Sequence, residues 1–351
     1  MNSFDPSNLD ILPGVRNRPT ITDVARLCGV TPATVSRVLN GKQKFSASEA
    51  VRQKILETAR KLGYVPDLAA RNLNRRATRI IGLFASPQTH LAEGINESLL
   101  EGIAEVLHAG GYDVFYELSP NNAEHALPFW RFDGAILMQA PRQATITELD
   151  RRRVPYVCVN EKIGNPSAFI VADDAMGMGR ALEHLHQLGH KRIAYANARA
   201  TYFNHYSVEE RYETLLAGVR ARGMQLVEGH DVPFSSAGYF LRHAVKEKRA
   251  TAVITYDHHI AVMLVGAAAE LGLRIPQHFS LICFNDVFPV ALLPPPLTAV
   301  AVSGREMGAI GADLLLNTVL APDAPRRQRE IKVPEDLIVR SSTGPAPHES
   351  K

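Results

Sequence analysis

TITDVARLCGVTPATVSRVLNG, residues Thr20 to Gly41, is the stretch on which the reading of this chain turns. Ile21, Val24, Ala25 and Cys28 recur at helical spacing and predict one buried face. Gly29 marks a turn. Thr31 then stands where an N-cap belongs, and Pro32 takes the first position of a second helix, where its missing N–H costs nothing. Val35, Val38 and Leu39 supply the apolar side of that helix, leaving Pro32, Ala33, Thr34, Ser36, Arg37 and Asn40 outward. Two helices joined by a Gly-containing turn, the second presenting small and polar residues with an Arg, read as a helix-turn-helix that binds DNA. On these residues alone a helical hairpin inside a larger bundle is the alternative.

Downstream, GKQKF is a basic loop, and Ser46-Ala47-Ser48-Glu49 reads as a capping box opening a third helix. Val51, Ile55, Ala59 and Leu62 form its inner face, and Gly63 ends it. Asp67, after a proline, can cap a helix of about two turns through Ala69, Ala70, Leu73 and Asn74, too short to be stable alone. Upstream, residues 1–18 scatter Pro, Asn and Gly and are expected to be a disordered arm.

Charge is distributed to match. Residues 1–79 hold 14 Lys/Arg against 6 Asp/Glu, a net +8, whereas the remaining 272 residues hold 25 against 30, a net −5. A basic head on a mildly acidic body points to a polyanionic partner for the head only. Cys28, Cys158 and Cys283 are odd in number, far apart and flanked by apolar residues, which fits neither a disulfide framework nor a zinc-ligand spacing. The N-terminus lacks a basic start followed by an apolar run, so it does not read as a signal peptide, and no stretch reaches the apolar length of a membrane span. A cytoplasmic protein is expected.

From Arg79 onward, strands and helices alternate. Short apolar runs predict strands at Ile80–Ala85, Tyr112–Tyr116, Gly134–Met138, Tyr156–Val159, Phe169–Val171, Arg192–Ala196, Ala252–Thr255, Phe279–Phe284 and Thr298–Val302. Amphipathic runs, each followed by Gly, predict helices at Ser98–Ala109, Ala175–Leu188, Glu209–Arg222 and Ile260–Leu271. The alternation argues for doubly wound parallel sheets, and the strand number for two similar lobes with ligands at the carboxyl ends of the strands. No GxGxxG, Walker A or GxSxG motif recommends a dinucleotide enzyme, an ATPase or a hydrolase.

Four segments together resemble the lac/gal repressor family of bacterial transcription regulators: the helix-turn-helix stretch, ARKLGYVPDLAARNL, LGHKRIAYANA with SVEERYETLLAGVRARG, and LGLRIPQHFSLICFNDV with LLPPPLTAV. The resemblance runs from about Thr20 to Thr343. It implies a small all-α headpiece followed by a two-lobed α/β body like that of periplasmic binding proteins. It further implies a homodimer on a palindromic double-stranded operator, and a small-molecule effector of the kind that is often a sugar or nucleobase in the family, here expected to be a sugar or sugar derivative. Cofactors, metals and membranes have no part in it. The divisions expected are an arm at 1–18, a headpiece at 19–65, a hinge helix and linker at 66–79, a body at 80–343 and a tail at 344–351. Within the body, the first lobe is expected at about 80–160 and 291–320, the second at about 161–290 and 321–343.

By position in the family, Pro32, Ala33 and Arg37 are expected at base edges. Thr22, Thr34, Ser36, Asn40 and Lys42 are expected at phosphates, the capping Thr31 among the DNA-binding residues, and Leu73, beside Asn74, as the wedge in the central minor groove. For the effector, the candidates at or beyond strand ends are Ser86, Gln88, His90, Phe203, His205, Tyr206, Arg211, Phe234, Tyr256, Asp257, His258 and Asn285. Aromatic rings with amides and an Arg suit a polyhydroxylated ligand. Asp257, His258 and His259 adjoin a helix start and can equally serve as its cap and coat. The pocket departs from the family at SPQTHLAEGIN, at Tyr256-Asp257, at Thr214 and at Asn285, so effector identity does not carry over. A solute-binding or sugar-acting protein on the same two-lobed body is the competing class. The basic headpiece speaks against it.

Overall fold

The structure, a computed structural model, describes residues 19–39, 48–64, 78–85, 94–116, 132–138, 142–197, 205–229, 236–321 and 328–347. The chain divides into two units, 1–78 and 79–351.

The first unit contains three helices, α1 (Ile21–Cys28), α2 (Pro32–Leu39) and α3 (Glu49–Leu62). A reciprocal box opens α1: the Asp23 N–H donates to Thr20 Oγ1 at 3.3 Å, and the Thr20 N–H donates to Asp23 Oδ2 at 2.9 Å. Gly29, at φ 71°, closes it in the left-handed region. Thr31 caps α2 as expected, its Oγ1 accepting the Thr34 N–H at 3.2 Å. The cap of α3 differs from the expectation. Ser48 fills that role, accepting the Val51 N–H, while Glu49 sits inside the first turn and bonds Gln53, so the helix opens two residues later than a box with Ser46 as its cap predicts. Ser46 itself lies outside the described residues. Val24, Ala25, Cys28, Val35, Val38, Ile55 and Ala59 make the buried core, with Ile21, Val30, Leu39, Val51, Leu62 and Tyr64 packed against it. Fully burying a Val or Ile of this kind contributes about 1.5–3 kcal/mol. For so small a unit, these few side chains are the fold.

The second unit carries two six-stranded sheets. The first is built from β1 (Ile80–Phe84), β2 (Asp113–Tyr116), β3 (Gly134–Leu137), β4 (Tyr156–Val159), β5 (Ala168–Ala172) and β11 (Arg329–Val333), in the order β11-β5-β4-β3-β1-β2. The second is built from β6 (Arg192–Ala196), β7 (Gln225–Glu228), β8 (Ala252–Thr255), β9 (Ser280–Phe284), β10 (Thr298–Ala301) and β12 (Asp336–Ile338), in the order β12-β10-β9-β8-β6-β7. The two orders correspond strand for strand. All pairs are parallel except β10 with β12. Helices α4 (Ile95–Ala109), α5 (Gln143–Arg152) and α10 (Gly304–Leu314) belong to the first lobe. Helices α6 (Asp174–Gln187), α7 (Tyr206–Ala221), α8 (Ala237–Leu241) and α9 (His258–Glu270) belong to the second.

The expected lobe boundaries need correction. The chain first crosses after β5, returns after β10, and crosses again after β11. Residues 161–172 and 328–333 thus fall in the first lobe, and 291–301 in the second, because β5 pairs with β4, β11 with β5, and β10 with β9. Hydrophobic periodicity locates a strand without naming its partner. The expected tail is also shorter than supposed: the Gly344 carbonyl accepts from Ser280 Oγ at 3.2 Å, and the Ala346 N–H donates to the Leu188 carbonyl at 2.9 Å. β7, β11 and β12, not foreseen in the sequence, lie at or next to sheet edges and carry partly exposed, polar residues, where the apolar signal of a strand is weakest.

Candidate functional site

Two surfaces bear on function, one in each unit. On the headpiece, Val35 and Val38 turn α2 inward, so the opposite face is presented: Thr31, Pro32, Ala33 and Arg37 are exposed, Thr34 and Ser36 half-buried. Thr22 is exposed on α1. The helix carries no acid of its own, and Asp23 of α1 is engaged by Thr20 and Arg26. Thr34 shares a hydroxyl contact with Thr31 at 3.0 Å. Asn40, Lys42, Leu73 and Asn74 lie outside the described residues.

In the body, the carboxyl ends of the strands gather a polar and aromatic cluster around Arg211 of α7. Arg211 is buried; its Nε donates to Asp174 Oδ1, its Nη1 donates to the Tyr256 carbonyl at 2.6 Å, and its guanidinium lies over the rings of Phe284 at 4.0 Å and Tyr256 at 4.9 Å. The Tyr256 hydroxyl meets Ser207 Oγ at 2.8 Å, and burial pushes its phenol up to about 12. His205 caps α7. Its Nδ1 accepts the Ser207 N–H, which leaves Nε2–H to donate to the Asn160 carbonyl at 3.0 Å. Burial lowers its pKa and keeps the ring neutral, in keeping with that tautomer. The Tyr206 hydroxyl accepts the Ala172 N–H at 3.2 Å and donates to Asn160 Oδ1 at 3.3 Å. His205 and Tyr206 therefore tie the second lobe to the first at the mouth of the strands.

Asp257 proves to be the N-cap of α9, accepting the Ile260 N–H at 2.9 Å, and its carboxylate lies 3.6 Å from His259. His258 is buried and its ring centroid lies 3.9 Å from that of His259 with the rings tilted by 39°, on the side where Gly94 of the first lobe approaches. Asn285 follows β9 at φ 70°, half-buried. Asp286, beside it, is held in a two-pronged pair with Arg340 at 2.7 and 2.8 Å. The candidates brought together are thus His205, Tyr206, Arg211 and Tyr256, with Asp257, His258 and Asn285 on neighbouring strand ends. Ser86, Gln88, His90, Phe203 and Phe234 lie outside the described residues. Sequence reasoning passed over Asn160, Asp174, Phe284 and Glu335. Asn160 had a readable signal. It follows β4 as Asn285 follows the matching β9, and both take the left-handed backbone that Asn tolerates. Among the described residues no group of three or more His, Cys, Asp or Glu side chains could hold a metal, and no helix is long and apolar enough to cross a membrane.

Residues 20–67 match the family described as bacterial regulatory proteins, lacI family, and residues 182–343 match the periplasmic binding protein-like domain. The chain is 31% identical over 347 residues to the HTH-type transcriptional regulator reg1 of Streptomyces lividans, covering 94% of this chain and 98% of that one. The chain belongs to the lacI family of bacterial regulatory proteins. It is also 28% identical over 339 residues to the HTH-type transcriptional repressor PurR of Mannheimia succiniciproducens, covering 92% and 98%. Among solved structures, the lac repressor dimer bound to operator and the anti-inducer ONPF superposes with a TM-score of 0.76 at 23% identity, covering 93% of this chain and 99% of that one, which shows the shared fold. As a lacI-family member this chain is a DNA-binding transcriptional regulator, not an enzyme.

Proposed function

We propose that this regulator acts in the cytoplasm as a homodimer, placing the two copies of α2 in successive major grooves of a two-fold-symmetric operator. The observation that carries the reading is the exposed face of α2 on a packed three-helix core, in a region of net charge +8. Arg37 can grip guanine O6 and N7 with two hydrogen bonds, worth about 1–3 kcal/mol of discrimination. Pro32 and Ala33 carry no side-chain donor and suit apolar contact with a thymine methyl. Thr22, Thr31, Thr34, Ser36, Asn40 and Lys42 are assigned to phosphates, and Leu73 with Asn74 to the central minor groove. A gel-shift titration on the promoter beside this protein's own gene tests the assignment; a chain that retards no fragment carrying a palindrome there would refute it.

The body is read as a clamp whose effector, a sugar or sugar derivative, sits among the strand ends and biases operator affinity. Aromatic rings at Tyr206 and Tyr256, amides at Asn160 and Asn285 and the fixed guanidinium of Arg211 suit the faces and hydroxyls of such a ligand. A ligand shifts the response only by its differential affinity for the two lobe arrangements, typically about 1–3 kcal/mol. A thermal-shift screen of sugars and sugar acids identifies it, since a ligand at 100 times its Kd adds about 2.7 kcal/mol of stability.

A further inference from the structure

Two of the three crossings between the lobes meet at a buried carboxyl. The first crossing leaves β5 through Asp173, which caps α6. The last leaves β11 through Pro334 and Glu335 to reach β12. The Asp173 N–H donates to the Val333 carbonyl at 2.8 Å, and Arg180 Nη1 donates to the Glu335 carbonyl, so the two crossings are joined directly. The Glu335 side chain then turns inward and lies flush on the first turn of α6, where a Cβ on Gly177 would stand 2.0 Å from Oε2 and 2.7 Å from Val300 beside the remaining crossing. Glu335 and Asp174 are both fully buried. Among the described residues, neither Glu335 oxygen has a hydrogen-bond partner, nor has Asp174 Oδ2.

The charges facing Glu335 do not balance an ionised carboxylate. From α6 come Asp174 and Asp173; from α7 come Arg211, Glu210 and the Tyr206 phenol; Lys332 and Asp336 flank it in sequence. Lys332 is occupied by Glu210, and Arg180 reaches Asp336 with its guanidinium. Arg211, the cation buried with the cluster, is committed to Asp174 and the Tyr256 carbonyl. Burial raises both carboxyls, and Arg211 pulls each down without cancelling the rise; at Glu335 burial, reinforced by the Asp174 charge, pushes the group up from 4.5 to about 8.

We propose that Glu335 is a proton-linked latch of the interlobe hinge: its carboxyl is neutral while the crossings are packed together, and it ionises when they separate. A buried acid with no donor of its own favours the proton, and the same acid released to water does not. The sign follows. Below about pH 4.5 both arrangements are protonated, and above about pH 8 both are ionised. Between those limits opening releases one proton, so the opening constant rises about tenfold per pH unit. Its consequence for regulation rests on reading the body as an effector clamp. The latch itself is measurable with neither effector nor DNA.

Amide hydrogen exchange on the full-length chain tests it. Rates at residues 172–177 and 335–338 are followed from about pH 5.5 to about pH 9, each divided by the intrinsic rate at that pH. The parent is expected to show about tenfold faster opening per pH unit up to about pH 7.5, flattening above about pH 8. Glu335→Gln, neutral throughout, is expected to lose that slope, and subtracting it removes contributions from histidines elsewhere. A slope in the Gln variant equal to the parent's, or a flat parent, would overturn the proposal. Should circular dichroism show the Gln variant unfolded, Glu335→Met gives the same comparison. The carboxyl carbon shift of Glu335 in the parent reads the site directly: titration near pH 8 supports the latch, and titration below about pH 5 overturns it.

Discussion

Arg211 is held before any ligand is considered. Asp174, the Tyr256 carbonyl and two aromatic faces hold its guanidinium in a buried site, where removing one member of an ion pair leaves the other charged and unpaired. Arg211→Met is therefore expected to cost about 3–5 kcal/mol of stability, measured by urea unfolding. Adding Asp174→Leu should recover most of it, because both charges then leave together. If the double variant is less stable than the single, the pair is not the coupled unit described. Asn285, half-buried and outside that pair, separates ligand binding from folding more cleanly. Asn285→Ala should lower the effector-induced thermal shift while leaving effector-free operator binding at the parent level. On the headpiece, Arg37→Ala should relax preference at one base pair per half-site, whereas Lys42→Ala should weaken all sequences alike and flatten the log–log salt slope by about one unit. Gel shifts on operator variants that show a uniform loss for both would remove Arg37 from the base edge.

The element that organises the first lobe is a helix pair packed backbone to backbone. A Cβ on Gly102 of α4 would lie 2.0 Å from the Arg305 carbonyl oxygen, and one on Gly308 of α10 would lie 2.2 Å from that of Leu99. No side chain can rotate out of such a contact, so the helices themselves must separate. Gly102→Ala is expected to destabilise by about 1–3 kcal/mol or more. Gly266, exposed in α9 with open space around it, makes the opposite case. Gly266→Ala should stabilise by about 0.5–1 kcal/mol, since it only restricts the unfolded chain. Thermal melts of the two variants moving in the same direction would contradict this. The tight set was not legible in sequence: Gly102, Gly266, Gly304 and Gly308 all read as weak helix formers, and only packing tells a contact from a gap.

For the whole molecule, the headpiece and the body each have their own buried core, and the chain divides at residue 78. A fragment beginning at Arg79 is expected to melt near the full-length temperature and to keep effector binding, while losing the operator. Loss of cooperative melting in that fragment would show that the body depends on the headpiece. The full chain is expected to sediment as two protomers at micromolar concentration, as a two-fold-symmetric operator requires. A mass of one protomer would count against it.

The sequence by itself determined the headpiece. Its helices are short, capped locally by Thr20, Thr31 and Gly29, and their buried positions repeat at a spacing visible in the letters. It also determined the strand–helix alternation of the body, because continuous apolar runs such as those of β4 and β8 are the price of burial on both faces. Tertiary structure alone decided which lobe received β5, β10 and β11, since pairing is a choice among partners of equal hydrophobicity. It alone set the surroundings of Arg211, whose partners Asp174, Tyr256 and Phe284 come from three other elements. Glu335 shows the limit most sharply. In sequence it is one more charged residue before an edge strand, and only the meeting of two distant crossings removes it from water.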